Sequence, residues 1–150
     1  MVADCVLCKE AGGLPVWQGV QMRVIRAQEE GFPAFYRVIW SAHVAELSDL
    51  SDADRNTCMA VVAAVERVVR QQLAPTKINL AALGNMVPHL HWHVIARYDW
   101  DSHFPASVWA NPLRPRDLPR EAQLQAQLAA TDAAIAAALA PWASSNLGAA

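Results

Sequence analysis

Three histidines at alternating positions carry the clearest potential for chemistry in this 150-residue sequence. His89, His91 and His93 are separated by the apolar residues Leu90 and Trp92. Alternation with a period of two predicts a β-strand whose three imidazoles share one face, with neighbouring histidines about 6.6 Å apart. The intervening apolar side chains then point into a core. A neutral imidazole is a good nucleophile, and neighbouring imidazolium groups can stabilise charge on a phosphoryl oxygen, so the pattern suits phosphate chemistry.

Two other interpretations of the triad stay open on the residues alone. The alternation is also what an ordinary half-buried strand produces, although histidine is an uncommon choice there. Two histidines on one strand can also reach a zinc ion. In that case the protein would be a metal-dependent hydrolase, with the triad itself holding the metal.

The segment from His89 to Ile95 follows the pattern His-φ-His-φ-His-φ-φ, where φ is an apolar residue. In this it resembles the histidine triad (HIT) family of nucleotide hydrolases and transferases. Asn79, Gly84 and Asn85 lie upstream, as the asparagine and the Gly-Gln run of that family do, with asparagine here in place of the usual glutamine. Arg97 follows the triad near the place where the family often has Pro-Arg.

The resemblance implies a role for each of these polar residues. His91 is expected to be the nucleophile, His93 to contact the scissile phosphate and assist the leaving group, and His89 to orient the nucleophile. Asn79 and Asn85 are expected to donate hydrogen bonds to the substrate. The implied reaction is hydrolysis or transfer at the α-phosphate of a dinucleoside polyphosphate or nucleoside phosphoramidate, through a covalent nucleotidyl-histidine. The alternative is a zinc-stabilised nucleotide-binding module with little turnover.

Cys5 and Cys8 form a Cys-x-x-Cys pair near the N-terminus. Alone, such a pair is compatible with half of a zinc site, a redox dithiol or two buried thiols. Some HIT proteins carry this pair and bind zinc with two further histidines, which match His43 and His89 here. Because the displacement needs no metal, such a zinc would be structural. Without zinc, His43 is expected to contact the triad or the bound phosphate.

The remaining elements predict an α+β fold, HIT-like by resemblance, in which a sheet of about five antiparallel strands carries one long helix and an extra C-terminal helix. The long helix is predicted from a Ser51 cap to about Leu73, and the C-terminal helix from Leu118 to Pro141. Strands are predicted at 14–17, 22–26, 35–40 and 77–83, followed by the triad strand. We predict one domain over residues 1–150, with a HIT-like core at about 5–100 and an extension at about 101–150.

Composition excludes several classes of function. Hydrophobic residues make up 54% of the chain, which favours a folded protein, and the net charge of −2 argues against binding to nucleic acid. No apolar run approaches the ~20 residues that span a bilayer, so no membrane partner is expected. The N-terminus lacks signal-peptide features and the number of cysteines is odd, which predicts a cytoplasmic protein. The resemblance also implies a homodimer.

Overall fold

A five-stranded antiparallel sheet lies at the centre of the computed structural model, which describes residues 4 to 144. The strands are β1 (Leu14–Gln18), β2 (Met22–Arg26), β3 (Phe35–Trp40), β4 (Lys77–Ala81) and β5 (His91–Arg97). Their order across the sheet is β1-β2-β3-β5-β4, and each neighbouring pair is antiparallel. The predicted α+β fold with its antiparallel sheet is confirmed.

Four helices accompany the sheet in the described part of the chain. They are α1 (Val6–Lys9), α2 (Asp52–Leu73), α3 (Leu118–Gln125) and α4 (Leu128–Ala138), and short 3₁₀ turns cover Leu47–Asp49 and Ala140–Trp142. The hydroxyl of Ser51 accepts the Asp54 N–H and caps α2, as predicted, and the helix ends where Ala74 adopts a left-handed conformation before Pro75. None of these helices is long and apolar enough to cross a membrane.

The single C-terminal helix that was predicted is in fact two helices. The regular helix is interrupted at Ala126 and Gln127. There the Gln127 N–H donates to the carbonyl of Leu124, three residues back, rather than to a carbonyl four residues back. This tighter turn interrupts the helix axis. Leu124 and Leu128 are buried on either side of the break, and Ile135 and Leu139 are buried further along the chain. The α4 helix packs on α2 and β1.

The two faces of the sheet differ in environment: one packs against α2, and the other carries the histidines of the triad strand. On one face, β5 contributes Trp92 and Val94 to a large core that α2 covers. On the other face, the register of β3 against β5 sets Arg37 opposite His93 and Ile39 opposite His91. Because side chains alternate along a strand, these four residues share the face on which the chemistry was expected.

Two strand boundaries near the triad differ from the prediction. β4 ends at Ala81 rather than residue 83, and the link to β5 is a longer loop that turns at Gly84, where φ is +77°. β5 begins at His91, so His89 precedes the strand instead of forming its first position. Pro88 has no N–H to give to a ladder, which explains why regular pairing starts only beyond it.

A buried ion pair anchors the segment that follows β5. The Arg97 guanidinium donates to both carboxylate oxygens of Asp101, at 2.8 and 3.1 Å, and also to the Ala106 carbonyl at 2.7 Å. His103 is half-buried against Phe32, and its Nδ1 lies 2.8 Å from the Ser102 hydroxyl. The extension is therefore held firmly beside the sheet.

Candidate active site and metal cluster

A cleft of about 850 Å³ opens on the face of the sheet that carries His91 and His93. Its walls come from α1 and the turn after it, from residues 83–87 of the β4–β5 loop, and from Trp109 of the extension. Its polar side chains are those of Glu10, Arg37, Asn85, His91 and His93. The cleft therefore brings imidazoles, a guanidinium and an amide together beside an apolar wall.

The imidazole of His91 is held in one orientation by the backbone. Its Nδ1 lies 2.6 Å from the carbonyl oxygen of His89. A carbonyl can only accept, so Nδ1 carries the proton and Nε2 carries the free lone pair. Burial lowers the pKa of His91 below its ordinary value, which also keeps the ring neutral at pH 7. A neutral ring with an unprotonated Nε2 is the form that can attack phosphorus.

His93 is the most strongly perturbed of the described histidines. It is buried among the rings of His91, Phe35 and Trp109, whose centroids lie 5.0, 5.4 and 5.1 Å from its own. Burial, and then the neighbouring imidazole of His91 and the charge of Arg37, lower the pKa of His93 to about 4. Its Nδ1 accepts a hydrogen bond from the Arg37 Nε–H at 3.4 Å, so the proton of the neutral ring sits on Nε2.

Cys5, Cys8, His43 and His89 form a compact cluster of potential metal ligands beside the cleft. Their Sγ and Nδ1 atoms all lie within 4.8 Å of one another. Each of the three S···N contacts measures 3.5 Å and the N···N contact measures 3.3 Å. Zn–S bonds of 2.3 Å and Zn–N bonds of about 2.05 Å in a tetrahedron imply about 3.6 and 3.3 Å for these separations. The donor set and its spacing therefore fit a zinc ion.

The orientation of His89 also suits metal binding. Its Nε2 lies 2.6 Å from the carbonyl oxygen of Trp40, so Nε2 carries the proton and Nδ1 presents its lone pair to the thiols. Burial lowers the pKa of His89, which favours the neutral ring that a metal requires. His89 thus contributes its ring to the cluster and its carbonyl to His91.

The other residues singled out from sequence lie in different places. Asn85 is exposed in the wall of the cleft, where an amide can reach a ligand. Asn79 does not line the cleft, and its side-chain oxygen accepts the Arg97 Nη1–H at 2.8 Å. His43 belongs to the cysteine cluster rather than to the cleft. The predicted contacts of Asn79 and His43 with a substrate stay predictions, as does that of Asn85.

Sequence reasoning missed several residues of the cleft, among them Arg37 and Trp109. Arg37 interrupts an otherwise apolar strand between Phe35 and Ile39. This signal marks a polar group on one face of the sheet, but it does not show which residue that group contacts. Trp109 lies in a proline-rich segment with no periodicity, so nothing in the sequence indicated that its indole reaches His93.

Comparison with curated proteins finds a relative that acts on nucleotides by its name. An AP-4-A phosphorylase of Mycobacterium tuberculosis is 28% identical over 92 residues, which cover 57% of this chain and 47% of that protein. The chain thus spans about half the length of the curated relatives it matches.

Two solved structures share the fold. A histidine triad protein of Sinorhizobium meliloti is 26% identical, with a TM-score of 0.62 over 78% of this chain and 90% of that one. A zinc-bound histidine triad family protein of Mycobacterium smegmatis is 22% identical, with a TM-score of 0.57 over 87% of this chain and 97% of that one. The family model of the HIT domain matches residues 17–100, more than half of the chain. The protein therefore belongs to the HIT domain family.

Proposed function

We propose that the protein hydrolyses or transfers a nucleotide at its α-phosphate through a covalent intermediate on His91. The observation that carries this proposal is the 2.6 Å contact between His91 Nδ1 and the His89 carbonyl, which leaves Nε2 as the reactive nitrogen in the cleft. The relative named AP-4-A phosphorylase supports a nucleotide substrate. We propose dinucleoside polyphosphates and nucleoside phosphoramidates as the substrate classes.

In this mechanism Nε2 of His91 attacks the α-phosphorus, and the bond to the leaving group breaks with its electron pair on that group. The His89 carbonyl stabilises the positive charge that the ring acquires, because it accepts the Nδ1 proton throughout. The Nε2–H of His93 can donate to an oxygen of the phosphate. Water then attacks the phosphorus, the P–N bond breaks, the proton of the water passes to solvent, and a nucleoside monophosphate leaves.

We propose that Cys5, Cys8, His43 and His89 hold a structural zinc ion. The spacing of their donor atoms supports this assignment, and a family member of known structure is zinc-bound. When bound, the metal ties the N-terminal segment to the residue whose carbonyl orients His91, and adds to the stability of the fold. Protein purified without added metal should contain close to one zinc per chain, and a normally folded protein with none would contradict the proposal.

We also propose a cytoplasmic homodimer. β4 is one of the two edge strands of the sheet, and Leu80, Leu83 and Met86 expose large apolar side chains on and just after it. A second copy could cover this surface. Light scattering on purified protein should give twice the mass of the chain, whereas the mass of one chain at micromolar concentration would contradict the dimer.

The experiment that tests the nucleophile is the replacement of His91 by asparagine. Mass spectrometry of the quenched wild-type enzyme should find a nucleotidyl group on the peptide that spans His89 to His93. His91→Asn should lose the adduct and several powers of ten in turnover, since the covalent route is removed, while still binding a nucleoside monophosphate. An adduct that forms equally well in the variant would refute this mechanism. An absent adduct in a wild-type protein that binds nucleotide would favour the binding-module alternative.

A further inference from the structure

Arg37 is a cleft residue that the mechanism above does not use. Within the described part of the chain it is the only lysine or arginine that lines the cleft. Its position is well defined, because Nη2 donates to Glu29 at 3.3 Å and its Cζ lies 5.3 Å from the centroid of the Phe35 ring. Two of its five N–H groups are used by His93 and Glu29, which leaves three for a ligand.

The contact between Arg37 and His93 limits what His93 can do. The Nε–H of Arg37 donates to Nδ1 of His93, and a nitrogen that accepts a hydrogen bond has its lone pair free of a proton. His93 is therefore neutral in this arrangement, and a permanent positive charge beside it opposes any second proton. The ring can donate one hydrogen bond through Nε2 but is a poor source of a proton for a departing group.

Leaving groups differ in what they need at this point of the reaction. An amine can leave a phosphoramidate only after its nitrogen gains a proton, which calls for an acid. The terminal oxygen of a polyphosphate leaves as an anion, which calls for a cation. A guanidinium matches phosphate oxygens in charge and in its forked geometry. A neutral His93 beside Arg37 suits the second case.

The order of groups across the site agrees with this assignment. β5 carries His91 and His93 two residues apart, and β3 sets Arg37 opposite His93, not opposite His91. In an in-line displacement the leaving oxygen departs on the side of the phosphorus away from the nucleophile. A phosphate that extends beyond His93 therefore comes within reach of Arg37.

We propose that Arg37 binds the phosphate of the leaving group and makes the site selective for phosphoanhydrides over phosphoramidates. This inference rests on the proposed function. In the selective step the Nε2–P bond forms, the P–O bond to the leaving phosphate breaks, and the electron pair stays on the phosphate oxygen. Arg37 stabilises that negative charge, and no proton is needed.

The test compares two substrates that leave the same adenylyl group on His91. Diadenosine tetraphosphate releases a nucleoside triphosphate, whereas adenosine 5′-phosphoramidate releases ammonia, which must be protonated as it leaves. The wild-type enzyme should have the higher kcat/KM for the tetraphosphate. Arg37→Gln should lower that value roughly 100-fold, and lower the value for the phosphoramidate by less than about tenfold, since only one leaving group is anionic.

Two further variants keep the comparison interpretable. Arg67→Gln removes the same charge from an exposed position on α2, outside the cleft, and should leave both rates unchanged. Arg37→Lys keeps a positive charge but lacks the forked donor geometry of a guanidinium. Its kcat/KM should fall less than that of Arg37→Gln, and only for the tetraphosphate. If Arg37→Gln melts well below the wild type and is therefore poorly folded, Arg37→Lys serves as the test variant instead.

The results separate this inference from the proposed function. An equal loss on both substrates would mean that Arg37 contacts the α-phosphate, and unchanged rates would mean that it contacts neither. Either result, or a wild-type preference for the phosphoramidate, overturns the inference and leaves the covalent mechanism standing. A wild-type enzyme that turns over neither substrate and forms no adduct overturns both.

Discussion

Replacement of Asp101 by asparagine is expected to destabilise the protein strongly, because it leaves the Arg97 charge buried without a partner of opposite charge. Arg97 is 1% exposed and Asp101 is 3% exposed. The carboxylate accepts two hydrogen bonds from Arg97 and three from the backbone N–H groups of Tyr98, His103 and Phe104. An asparagine of the same shape has one acceptor oxygen and turns a donor toward several of these groups.

The size of the effect follows from the burial of both charges. Removal of one partner from a buried ion pair costs roughly 3–5 kcal/mol of unfolding free energy. In a chain of this length each kcal/mol lowers the melting temperature by about 2–4 °C, so Asp101→Asn should melt roughly 6–20 °C below the wild type. The exposed neighbour provides a matched control, since Asp99→Asn should change the unfolding free energy by less than about 0.5 kcal/mol.

The same substitution should alter the dependence of stability on pH. Burial raises the pKa of Asp101, but hydrogen bonds from Arg97 and from the backbone N–H groups of His103 and Tyr98 outweigh burial and hold that pKa below its ordinary value. The stabilisation is therefore complete above the ordinary pKa of about 3.9 and is lost as the pH falls through the lower, folded-state value.

Urea unfolding monitored by tryptophan fluorescence at matched metal content measures both effects. The gap between wild type and Asp101→Asn should be widest near pH 7 and should narrow in acid. A gap below about 1 kcal/mol at pH 7 would refute the reasoning, since a buried guanidinium would then tolerate the loss of its partner.

Three further outcomes follow from other contacts. Cys8→Ser should lower the melting temperature and abolish the additional loss that a strong chelator causes in the wild type; a chelator effect that survives in the variant would place the metal elsewhere. The unfolded chain takes up a proton on His93 near its ordinary pKa of 6.5 and the folded chain only near 4, so stability should fall by about 3 kcal/mol as the pH drops between these values. His93→Gln should lack this component of the pH slope, and equal slopes would contradict the neutral ring. Tyr36→Phe removes a 2.8 Å hydrogen bond to Asp132 of α4 and should cost about 1 kcal/mol in urea unfolding, and no change would show that the bond adds nothing.

Local patterns predicted most of the secondary structure. The alternation around His91 and the Ser51 cap of α2 depend only on residues close together in the sequence. They therefore predict local structure without knowledge of the tertiary contacts. The break near Gln127 was not predictable in this way. No proline or glycine marks it, and the burial of Leu124 and Leu128 against the rest of the protein accompanies it.

The parts of the site that depend on distant residues were harder to foresee. Arg37 meets His93 across 56 positions of sequence, and the contact depends on the exact register of β3 against β5. A shift of one residue would turn Arg37 to the other face of the sheet. The grouping of the two cysteines with His43 and His89 came from resemblance, because spacing in the sequence cannot say which histidines approach a distant thiol.

The cysteine cluster also sets an order of events during synthesis. Cys5 and His89 are 84 positions apart, so the ribosome adds the last residue of the cluster long after the first. At about 5–20 residues per second this interval is roughly 4–17 s, during which the two thiols lack a complete set of partners. Oxidants and competing metals can reach the nascent chain in that interval. Cells exposed to a brief pulse of oxidant should therefore lose newly made protein to a greater extent than protein that has already folded.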